Sequence, residues 1–74
     1  MTSQSKLFER AAECERLMKL ETDEVRKKMF GLLRDMWIAL ANENGSMSKE
    51  TLAEQVAAIA EIQARLHPGD GGTN

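Results

Sequence analysis

The chain has 74 residues, too few for more than one domain, and a lone domain of that size buries only roughly 60% of the surface its unfolded chain exposes. One cysteine excludes an internal disulfide and one histidine excludes the familiar Cys/His zinc patterns, leaving oligomerisation as the usual device that steadies so small a scaffold. A formal net charge of −2 with 30% charged residues of both signs describes an ordinary polar surface rather than one built for a polyanion, so no nucleic acid partner is expected.

The first segment opens with Ser3 or Ser5 as N-cap and reads as a helix over 5–20. Leu7, Ala11, Cys14 and Met18 form a narrow apolar stripe, widened by Leu17 on one side and Phe8 on the other. A break is expected near Glu21-Thr22. It lacks both proline and glycine, so fusion of the first two helices into one is the alternative.

The second helix is expected over 23–44, capped by Thr22, with Asp23 and Glu24 favourable to the helix dipole and four residues ahead of Lys27 and Lys28. At about 100° per residue, Val25, Met29, Leu32, Leu33, Met36 and Leu40 share one face, and Phe30, Trp37 and Ala41 widen it along one flank. A face that wide calls for more than one neighbour. Gly45 reads as the left-handed residue closing this helix, and Ser48 as the next N-cap.

The third helix is expected over 49–66 and carries two seams. Leu52, Val56, Ile59, Ile62 and Leu66 make one; Ala53, Ala57, Ala60 and Ala64 make the other, either a close-approach surface or simply good helix formers on an exposed flank. Gln63 near the large seam is either a buried group needing a partner or a sign that the seam opens to solvent. Residues 1–67 form a single helical domain on this reading, and the Gly-rich 68–74 a disordered tail. Short connections imply antiparallel neighbours, hence an all-α, three-helix antiparallel arrangement that dimerises into a larger helical bundle.

The run Arg10-Ala11-Ala12-Glu13-Cys14-Glu15-Arg16-Leu17, with Asp23-Glu24-Val25-Arg26 and then Trp37 and Leu40-Ala41, resembles a group of very small alphaproteobacterial proteins. Those carry an R-A-x-E-C-x-R-L helix, a D-P-E-V-R turn and a W-x-x-L-A ending, and the resemblance implies a helical hairpin over the first half of the chain with no catalytic residues to carry over. The turn proline is absent here between Asp23 and Glu24.

Candidate chemistry is sparse. Cys14, central in its stripe, reads as a small buried hydrophobe, although Cys14, Met18, Met29 and Met36 could together form a soft-metal or small-ligand interior. Arg26-Lys27-Lys28 reads as a solvated first turn paired to nearby acids. A helix-turn-helix reading fails on the third helix, where Lys49 and Arg65 are outnumbered by Glu50, Glu54 and Glu61. Acid–base chemistry can be imagined for some pair among Glu9, Glu13 and His67, but nothing in the sequence places them in a pocket. No enzyme activity, metal or cofactor is therefore expected.

Trp37, Phe30 one heptad before it and Ile38 on the polar side, together with Ala53, Ala57, Ala60 and Ala64, are the residues expected to meet a partner: a second copy or another helical protein. No stretch is apolar enough for a membrane span, no signal-peptide core follows Met1, and no strongly basic apolar-flanking face suits a membrane surface, so a cytoplasmic, membrane-free protein is expected.

Overall fold

A computed structural model describes residues 3–66. The fold is all-α, with helices α1 (Gln4–Leu20), α2 (Glu24–Glu43) and α3 (Lys49–Leu66) and no strand among the described residues. The expected boundaries hold to within a residue at each end. The expected tail at 68–74, and His67 before it, lie outside the described residues.

Each helix start is fixed by a side chain that accepts a backbone N–H left without an intrahelical partner. The Lys6 N–H donates to Ser3 Oγ at 3.3 Å, so Ser3 and not Ser5 is the cap. The Thr51 N–H donates to Ser48 Oγ at 3.1 Å, as the sequence leads one to expect. At α2 the cap is Asp23 rather than Thr22: the Arg26 N–H donates to its carboxylate at 2.8 Å. A carboxylate is the stronger acceptor, and its charge sits at the positive end of the helix dipole.

α1 and α2 are separate helices, because Glu21 takes an extended conformation directly after Leu20. The end of α2 departs from expectation. The chain turns through a short 3-10 helix, Asn44–Ser46, and no described glycine has a positive φ, so Gly45 is not a left-handed cap. The last carbonyls find other donors: the Ser46 hydroxyl donates to the Glu43 carbonyl at 3.0 Å and the Met47 N–H to that of Asn44 at 3.4 Å.

The helices run antiparallel in sequence order. Gln4 Nε2 donates to the Ala41 carbonyl at 3.0 Å at one end of the α1–α2 hairpin, and Arg26 pairs with Glu21 at 3.2 Å at the other. α3 folds back along α2, far enough that the Arg26 guanidinium donates to the Leu66 carbonyl. α1 and α2 are the closely packed pair; α3 rests almost wholly on α2.

The core holds Leu7, Ala11, Cys14 and Leu17 from α1, Phe30, Leu33, Trp37, Leu40 and Ala41 from α2, and only Leu52 and Ile59 from α3. On α2 the buried arc is turned by about 90° from the centre of the face expected from sequence. Val25 remains 69% exposed and Leu32 59%, with Met29 and Met36 also exposed. The rings decide this. Phe30 and Trp37 are fully enclosed in the same core as Ala11 and Cys14 of α1, and two aromatic side chains remove more apolar surface from water than valine and methionines could.

Candidate functional site

Trp37 is the junction of the three helices. Its indole N–H donates to Gln63 Oε1 at 2.9 Å, the Arg10 guanidinium lies 5.1 Å from the centre of its ring, and Cys14 lies beside it. Gln63 is thus the half-buried polar group with a partner, and the partner is within the chain. No buried side-chain nitrogen or oxygen among the described residues lacks a hydrogen bond.

This enclosure corrects part of the expected partner surface. Phe30 and Trp37 are 0% exposed in a single chain, so the fold itself covers the flank expected to meet a partner. Ile38 is half-buried against the core, as is Ala60. Ala53, Ala57 and Ala64 remain exposed. The aromatic residues are therefore core, and of the expected strips only the alanine seam stays largely on the surface.

Arg26 is also more than a solvated basic residue. It reaches Glu21, the last carbonyl of α3 at Leu66, and a position 5.9 Å from the Phe30 ring centre. Capping a carbonyl at a helix C-terminus with a cation satisfies an orphan acceptor and opposes the dipole. Asp23 and Glu24 form no ion pair with Lys27 or Lys28 among the described residues; Glu21 supplies the acid instead. The second cross-helix ion pair joins Arg34 and Glu15 at 2.6 Å, and it holds the Glu15 carboxyl below its ordinary range while raising Arg34.

The Cys14 thiol is pushed up from its ordinary pKa by burial, partly opposed by Trp37 beside it. A thiol kept protonated and enclosed is a poor nucleophile and a poor ligand. The four soft side chains do not converge either: Met18 lies toward Gly31, on the side of α2 opposite the outward Met29 and Met36. No group of three or more His, Cys, Asp or Glu able to hold a metal occurs among the described residues. Glu9 and Glu13 stay on the surface of α1, and His67 lies outside the described residues.

What the fold leaves open is an apolar strip along α2. Val25, Met29, Leu32 and Met36 follow one another at spacings of four, three and four, all exposed. At its C-terminal end it runs into an open groove of about 210 Å³ between Met36, Ala39 and Glu43 of α2, Met47 of the connection, and Gln55 and Ile59 of α3. Exposed Ile62 lies farther along α3 on the side of Gln55 and Ile59. Sequence periodicity found these α2 residues but did not place them among those expected to meet a partner. The signal that could have separated core from surface was residue size, with both rings on one flank opposite small residues of α1.

No protein-family model matches the chain, and comparisons with curated proteins and with solved structures likewise find no match.

Proposed function

We propose that this chain is a small non-enzymatic helical interaction module, a self-associating regulator or accessory subunit, whose contact surface is the α2 strip together with the groove toward α3. The observation that carries this reading is that four large apolar residues at helical spacing stay exposed although the same helix has already buried five others. A monomer gains nothing from such a strip, whereas an amphipathic helix laid along it would remove continuous apolar surface from water. The alanine seam at Ala53, Ala57 and Ala64 is a secondary surface, where small residues let a helix approach closely.

A photo-reactive side chain at Leu32 tests the proposal in cells expressing the full chain. Illumination is expected to give discrete protein adducts from position 32 and none from Ala12 on the exposed side of α1. Equal labelling from both positions, or none from Leu32, overturns the reading.

A further inference from the structure

We infer that the occupant of the α2 strip is α2 of a second copy, laid antiparallel across a two-fold axis and latched by Lys28 of each chain to the partner's Asp35. This rests on the interaction-module reading above and names its partner.

Spacing comes first. Val25, Met29, Leu32 and Met36 alternate by four and three residues, the repeat by which two helices keep one seam in register. Such a seam is self-complementary about its middle: with chains antiparallel, Met29 meets the partner's Leu32 and Met36 meets the partner's Val25. Both ends of the strip are then covered by the same four residues, as a two-fold interface requires.

Charge then selects the direction. The strip has one side already occupied, because Leu33 and Leu40 next to it are buried in the chain's own core. The other side carries Lys28 and Asp35, one heptad apart, both exposed and opposite in sign. In the antiparallel arrangement these positions face each other across the axis, giving two equivalent Lys28–Asp35 pairs. A parallel pairing would set Lys28 toward the side holding the partner's buried Leu33, where no counter-charge exists. Asp35 now pairs only with its neighbour Arg34 at 3.0 Å and is 61% exposed, so it can turn to a second cation.

The residues after Leu66, His-Pro-Gly-Asp-Gly-Gly-Thr-Asn, contain no large apolar side chain. The charges beside the strip are mixed rather than basic, which disfavours an anionic lipid surface. On the α3 side, Ile62 adds apolar area beside the seam and helps exclude water from it.

Sedimentation equilibrium of the full chain, from micromolar to several hundred micromolar, reads the association directly. A monomer–dimer equilibrium is expected. Leu32→Glu should weaken it by more than about a hundredfold, since it places a charge in the middle of the seam of both copies. Its circular dichroism and Trp37 emission should not change, because Trp37 belongs to the monomer core.

Reversing one latch residue, Lys28→Asp or Asp35→Lys, is expected to weaken the dimer about tenfold by creating two like-charge contacts, and the double reversal K28D/D35K to restore it. A chain that stays monomeric throughout overturns the second copy as occupant. In that case Leu32 adducts to a different protein would leave the strip a contact surface of a module that does not self-associate, while adducts to lipid alone, or none, would remove the module reading as well. A dimer that ignores Leu32→Glu, or single reversals not rescued by the double reversal, overturns the antiparallel latch.

Discussion

Gly31 shows how one residue balances propensity against packing. It lies inside α2, where glycine is less favourable than alanine by roughly 0.5–1 kcal/mol, and its backbone does not adopt a positive φ. A Cβ there would meet Met18 Sδ at 3.3 Å. That contact is tight, but it is with a flexible, half-buried thioether rather than backbone. Gly31→Ala is therefore expected to stabilise the chain by about 0.5 kcal/mol in urea unfolding, with Met18 shifting by a few tenths of an ångström. A loss of stability would show that Met18 is locked against Arg34, whose guanidinium lies 3.9 Å from the sulfur.

Glu15 gives the pH dependence at the same scale. Its hydrogen bond to Arg34 lowers its pKa in the folded chain, so the folded state holds its proton less tightly than the unfolded state does. The contribution is complete above the ordinary glutamate value of about 4.3 and fades as pH falls through the lower folded value. Glu15→Gln should flatten that part of the stability profile and leave the neutral-to-alkaline part parallel to wild type. Urea midpoints measured across the acid range check it.

At the scale of elements, the hairpin and α3 are held by different means. α1 and α2 share most of the core, whereas α3 contributes Leu52 and Ile59 and is anchored at its far end by Arg26 and along its length by Gln63 on Trp37. Stability is not uniform in such a chain, and the lightly packed element opens first. Arg26→Ala removes the ligand of the Leu66 carbonyl, the Glu21 ion pair and the cover over Phe30 together. Hydrogen exchange is expected to accelerate through the last turns of α3 by about tenfold, with α1 and the middle of α2 changed far less. Uniform acceleration would mean that the three helices unfold as one unit.

For the molecule as a whole, α2 has two apolar arcs, one buried in the chain's own core and one facing outward. Substitution separates them. Leu32→Gln, measured at sub-micromolar concentration, should leave unfolding free energy within about 0.5 kcal/mol of wild type, whereas Phe30→Ala should cost about 3–5 kcal/mol and leave little folded protein. Comparable losses at both positions would show that Leu32 also supports the monomer. No described helix is long and apolar enough to cross a membrane.

The three helices and their approximate ends were legible in the chain because caps and periodicity are local: Ser3, Ser48 and the polar break after Leu20 act within a few residues of themselves. Local chemistry also identified every large apolar residue of α2. It could not decide which half of that wide arc would be buried, because the decision lies in the shape of another helix. Phe30 and Trp37 are enclosed in the core beside the small residues Ala11 and Cys14 of the same cluster, and Val25, Met29, Leu32 and Met36 are turned outward. Residue pattern determined that α2 needs two neighbours; tertiary packing determined that the aromatic flank meets the chain itself, and that the aliphatic strip stays on the surface.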